Sequence, residues 1–106
     1  MPKYLWKASY TPEGVKGVAS EGGTGRTEAV RTACESVGGT LECFYFGFGD
    51  ADAYVIAELP DNEAATAVAL TVNASGRASV ETVVLMTAEE VDAATKREVN
   101  FRPAGG

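Results

Sequence analysis

At 106 residues, with 45% hydrophobic side chains and a formal net charge of −6, the chain has the size of one domain and ample apolar material for a core. The acidic balance offers no basic stripe to phosphates, which excludes a general nucleic-acid binder, and no apolar run of about 18 residues is present to span a membrane. Histidine is absent, which removes histidine-held haem, zinc and copper and every Ser-His or Cys-His nucleophile pair.

Acid–base chemistry would therefore fall to Asp, Glu, Tyr, Lys or a thiol, and no metal or cofactor is expected. The opening MPKYLWKASY lacks the apolar centre of a signal peptide. Cys34 and Cys43 are spaced for neither a zinc site nor a redox pair, and read as reduced thiols used as small hydrophobes. That usage points to a reducing, cytoplasmic setting.

Along the chain, Lys3 to Tyr10 alternates: Tyr4, Trp6, Ala8 and Tyr10 share one side, Lys3, Leu5, Lys7 and Ser9 the other. A period of two with aromatics on one side makes a strand. Thr11-Pro12-Glu13 then starts a helix, with Thr11 as cap, Pro12 at the first helical position and Glu13 at the positive end of the dipole. Gly14, Gly17, Gly22, Gly23 and Gly25 are too many for an unbroken helix. The expectation is one short helical turn, a break near Glu21 to Gly25, and a proper helix from about Arg26 to Val37. In that second part Val30, Ala33, Cys34 and Val37 form one apolar stripe, and Gly38-Gly39 closes it through a left-handed cap. The stretch EGGTGR is not a phosphate loop, because it lacks the Gly-Lys-Ser/Thr ending and no strand leads straight into it.

Thr40 to Pro60 reads as a long β-hairpin around the turn Gly49-Asp50-Ala51-Asp52, with Phe44, Tyr45, Phe46 and Phe48 before it and Tyr54, Val55 and Ile56 after it. Those runs are apolar on both sides, which suits strands covered on both faces. Asp61 caps a second helix from Glu63 to Ala74, closed by Gly76. Ser79 to Thr87 is a fourth strand, and the capping box Thr87-Ala88-Glu89-Glu90 opens a short last helix to about Arg97. Residues 1–99 form the domain and 100–106 a tail.

The order β-α-β-β-α-β predicts an α+β, ferredoxin-like fold: a four-stranded antiparallel sheet with both main helices on one face. The other face would expose apolar and aromatic side chains, so a homodimer or a larger even-numbered homo-oligomer is expected to cover it. Topology brings the first strand–helix connection, the hairpin turn and the connection into the fourth strand to one end. Tyr10, Glu13, Gly49, Asp50, Asp52, Tyr54, Asn73 and Arg77 become candidate ligand-binding residues there, and Arg26, Glu13 and Glu21 flank the helix break as candidate lining of a cavity between helix and sheet. Each has a plainer role. The two aspartates suit a tight turn, the tyrosines a core or interface, Asn73 a helix end, and Arg77 a solvated charge or a partner for Asp50.

With these residues laid out, the chain resembles the GYD domain family of small bacterial proteins. The resemblance is carried by KYLWKASYTPEGVKG, EGG with Arg26, Gly38-Gly39, FYFGFGDADAYVIAELPDNEAA, VNASG and VETVVLMTAEEVDAA. It implies a fold of the dimeric α+β barrel kind and no established activity. Gly49 and Asp52 stand at the glycine and aspartate of the family's Gly-Tyr-Asp signature, whereas Ala51 occupies the tyrosine's place.

Two functions follow as expectations. The first is a homo-oligomeric protein that binds a small molecule or serves in assembly. The second, by analogy with the fold alone, is a cofactor-free monooxygenase or isomerase acting on a small organic substrate in the sheet–helix cleft. In the second, Asp50 or Asp52 would abstract a proton while Tyr10 or Arg77 steadied the oxyanion.

Overall fold

The computed structural model describes every residue from Met1 to Gly106. Its elements are β1 (Lys3–Tyr10), α1 (Pro12–Ser36), β2 (Thr40–Phe46), β3 (Ala53–Glu58), α2 (Asn62–Ala74), β4 (Ala78–Leu85) and α3 (Ala88–Thr95). The four strands form one antiparallel sheet in the order β2-β3-β1-β4, the expected ferredoxin-like α+β layout. No helix is long and apolar enough to cross a membrane.

Alternation along β1 sends Tyr4, Trp6 and Ala8 inward, where each is buried beneath the helices. Register extends those positions into rows across the sheet. Phe44, Val55, Trp6 and Thr82 make one row, and Leu41, Ala57, Tyr4 and Val84 the next. Cys34 of α1 and Ala65 and Val68 of α2 close the core from above, together with the wholly buried Leu59. A buried side chain of that kind contributes roughly 1.5–3 kcal/mol. The Tyr4 hydroxyl donates to Asn62 Oδ1 at 2.6 Å, tying the sheet floor to the start of α2.

The break in α1 is a single residue. Gly22 adopts φ 81° and ψ 167°, a conformation open to glycine and costly for other residues, and helical geometry resumes after it. The first segment is longer than the short turn expected, running from Pro12 to the break with Gly14 and Gly17 inside it. Tertiary packing overrides propensity there, because Gly14 is buried against the connection into β4. The caps form as expected: Thr11 Oγ1 accepts from Gly14 N, Asp61 Oδ1 from Ala64 N, and Thr87 and Glu90 make a reciprocal capping box.

The hairpin departs from its expected shape in two ways. Strand pairing ends at Phe46 and Ala53, so the connection spans residues 47–52 rather than the tight turn Gly49–Asp52. Phe48, expected in the strand, leaves it at φ 54° and is largely exposed. A β-bulge also lies between Leu41 and Cys43. One extra residue, Glu42, restores the phase, so that Leu41 and Phe44 both face the core despite their odd spacing.

The outer face of the sheet is narrower in its apolar character than the sequence suggests. Its middle row, Cys43, Ile56, Leu5 and Val83, is apolar. The rows on either side are charged at their centres: Lys3 pairs with Glu42 and Glu58, and Lys7 with Asp50 and Glu81. Beyond β4 the chain leaves the body. Every residue from Met86 to Gly106 is exposed, α3 included, and the molecule is 55 Å long against 33 and 22 Å in its other dimensions.

Candidate functional site

A cavity of about 330 Å³ lies between the helix layer and the inner face of the sheet, at the small end of ligand-sized pockets. Trp6, Ala8, Phe44 and Val80 supply its floor; Val30 and Ala33 of α1 and Val68 and Val72 of α2 supply its walls. The sequence dictates this space. Small side chains stand where α1 and α2 face the strands, and the kink at Gly22 turns α1 partway along its length. Gly23 packs beside the ring of Phe46, which stands 4.9 Å from Phe44, centroid to centroid. An aromatic column on β2 thereby props the broken helix.

Polar groups are few. Trp6 is 3% exposed, and its Nε1–H has no acceptor anywhere in the protein. A buried donor left unmatched costs about 1–3 kcal/mol. Nearer the Gly22 break, Arg26 and Glu21 line the cavity, with Arg26 Nη1 3.8 Å from Glu21 Oε2. Tyr10 and Arg77 also line it. Burial pushes the Tyr10 phenol above its ordinary 10.0; Arg26 opposes that rise, and Asp52 and Glu21 add to it.

The candidate residues therefore separate into groups. Tyr10, Arg26 and Arg77 come together around the cavity. Glu13 points to solvent, 4.0 Å from Lys16. Asn73 Oδ1 accepts from Val80 N at 2.9 Å and so fastens the end of α2 to β4. Gly49 is exposed in the hairpin connection, and Tyr54 lies half-buried on the outer face, paired in register with Tyr45.

The two aspartates stand apart from the cavity. Asp50 reaches Lys7 Nζ at 3.2 Å on the outer face, and not Arg77. Asp52 accepts from Tyr10 N at 2.8 Å, while its own N–H donates to Ala8 O at 2.8 Å, extending the contact between β3 and β1. Ala51 between them is buried. Neither carboxylate lines the cavity, so proton abstraction from a molecule held there has no support from Asp50 or Asp52.

Trp6 and Phe44 are among the cavity residues that sequence reasoning passed over, with Val68, Val72 and Val80. A lone tryptophan on the inner side of β1 reads as core packing; the signal was its N–H, which a buried site must satisfy. No group of three or more His, Cys, Asp or Glu is placed to hold a metal ion.

The protonation of Tyr10 has a consequence for stability. The folded chain holds the phenolic proton more tightly than the unfolded chain does, so its stabilisation is full below pH 10.0 and drains as the pH climbs past that value. Cys34, likewise raised from 9.0 by burial, acts with the same sign and starts earlier. Urea midpoints should therefore fall between pH 8.5 and pH 11, and Tyr10→Phe should flatten the upper part of that fall. An equal fall in the variant would show that Tyr10 plays no part.

Compared with protein-family models, residues 4–95 match the family described as GYD domain. No curated protein matches the sequence.

Proposed function

The chain belongs to the GYD domain family, and we propose that this member is a homo-oligomeric protein that binds a small organic molecule in the cavity between α1, α2 and the sheet. One observation carries the reading. A cavity of about 330 Å³ is walled largely by apolar side chains, with Tyr10, Glu21, Arg26 and Arg77 among the few polar residues that line it. Ligand sites combine those properties: apolar area for affinity and a few placed polar groups for orientation.

A homodimer is supported by the outer sheet face. Its apolar row of Cys43, Ile56, Leu5 and Val83 is uncovered in a single chain, and the lysine–carboxylate rows beside it can meet their own copies about a two-fold axis. The arm from Met86 onward, with Val91, Val99 and Phe101 exposed, extends beyond its own body and is available to the second subunit.

Trp6 is the sole tryptophan, so its emission reports on the cavity directly. Protein purified gently from its own host should carry a stoichiometric extra mass in native mass spectrometry. 8-Anilinonaphthalene-1-sulfonate should quench Trp6 emission with saturation at one probe per chain. Absence of both signals would overturn the binding reading.

A further inference from the structure

We infer that the segment from Met86 to Gly106 is an exchanged clasp: α3 and the chain after it pack against a second copy of this protein, so that ordering the arm and forming the homodimer are one event. This inference rests on the homodimer reading. It goes further by naming a segment that holds the pair together and by coupling its structure to assembly.

The single chain carries more surface than a compact fold of its mass. It exposes 7073 Å², whereas a compact protein of 11.0 kDa exposes about 5,600 Å². Its radius of gyration is 16.7 Å, against about 13 Å for a compact chain of this length. The excess surface, roughly 1,400 Å², is larger than the ~800 Å² per partner that a standard stable interface buries. The arm contributes to that excess along its whole length, since every residue from Met86 onward is exposed.

The arm is nonetheless built to be covered. α3 opens with a complete capping box between Thr87 and Glu90, yet its eight residues are too few to hold a helix alone in water. Ala88, Val91, Ala94 and Thr95 recur at helical spacing along one side, away from Glu89 and Glu90. Val99 and Phe101 follow, both exposed. None of these side chains finds cover on its own body.

Charge points to a second copy as the cover. Glu89, Glu90 and Asp92 occupy the first half of the arm, and Lys96, Arg97 and Arg102, with Glu98 among them, the second. None of them forms an ion pair within its own chain. Two such arms crossing antiparallel about a two-fold axis set each acidic half against a basic one, which makes the arm complementary to itself. The arm is also continuous with the uncovered outer face of the sheet, because β4 carries Val83 of the apolar row and ends at Leu85, where the arm begins.

The test reads hydrogen exchange and sedimentation of the full chain across a range of concentrations. In assembled protein the α3 amides from Val91 to Lys96 should exchange about a hundredfold more slowly than in dilute single chains. Protection and mass should change at the same concentration. In a sample mixing ¹³C-labelled with unlabelled chains, methyl contacts of Val91 and Val99 should cross between the two. Val91→Asp combined with Phe101→Asp should weaken association about thirtyfold or more, as loss of a buried anchor does. Association at full strength in that double variant would overturn the clasp while leaving a dimer through the sheet face in place. Unprotected α3 amides in assembled protein, or methyl contacts confined to one chain, would overturn it in the same way. Unsubstituted protein that stays a single chain at every concentration would remove the homodimer reading and the clasp with it.

Discussion

Replacing Gly14 with alanine should lower the melting temperature by about 10–20 °C, whereas the same change at Gly17, three residues on, should raise it. A Cβ on Gly14 would sit 1.9 Å from the carbonyl oxygen of Arg77, and backbone on both sides leaves nothing flexible to move aside. That carbonyl already accepts from Thr11 N at 2.9 Å and Thr11 Oγ1 at 3.2 Å, and Thr11 Oγ1 also caps α1 through Gly14 N. The added methyl would prise apart the seam joining the start of α1 to the entrance of β4. Overpacking of this kind costs about 2–3 kcal/mol, and each kcal/mol moves the melting point of a domain this size by about 4–8 °C. At Gly17 a Cβ meets nothing within 4 Å, so the gain in helix propensity of about 0.5–1 kcal/mol stands unopposed. Scanning calorimetry on the two variants decides the matter. If Gly14→Ala melts with the unsubstituted protein, the close approach of helix and connection is wrong.

If the proposed homodimer forms through the outer sheet face, Ile56→Lys should leave it as single chains of 11.0 kDa. Ile56 stands between Leu5 and Cys43 in the apolar row of the outer face, and in the proposed dimer a lysine there would enter the interface. Burying that charge unpaired costs several kcal/mol, which weakens association about a thousandfold or more. Sedimentation at micromolar concentration reads the mass. Thiol labelling supplies an independent reading: Cys43 should react slowly in the unsubstituted protein and quickly in the variant, while Cys34, wholly buried, stays protected in both until the chain unfolds. Unsubstituted protein that sediments only at the mass of one chain would end the dimer reading.

Much of this architecture was legible in the residues. Alternation from Lys3 to Tyr10 fixed which side of β1 meets the helices, and Thr11, Asp61 and Thr87 announced their helices because a capping oxygen must stand immediately before the first turn. The glycines between Glu21 and Gly25 marked the kink but not its narrowness, since only the fold shows that Gly22 alone takes the unusual backbone conformation. The bulge at Glu42 left no local trace, and without it Leu41 and Phe44 belong to opposite faces.

The site was harder. Element order reveals which end of the sheet a connection occupies, and it brought Tyr10, Asp52 and Arg77 to one end correctly. It does not reveal above or below the sheet, and Asp50 emerged on the outer face with Lys7 while Tyr10 and Arg77 line the inner cavity. A cavity is a volume left over after packing, so no pattern along the chain encodes it directly. The unmatched Trp6 N–H became meaningful only when its surroundings were known.

The strand order carries a kinetic implication. β1 is the first strand of the chain, yet both of its neighbours, β3 and β4, come later, and its pairing with β4 links Lys3 to Leu85. During synthesis, therefore, one edge of β1 stays unpaired until β4 is made, while β3 can take the other edge much earlier. Before that, β2 and β3 join as a local hairpin. Sheets closed by such distant contacts fold slowly, in milliseconds to seconds, because the entropy of a long loop is lost before the contacts reward it. The chain's period of greatest exposure to aggregation should accordingly end when β4 clears the ribosome and takes its place beside β1.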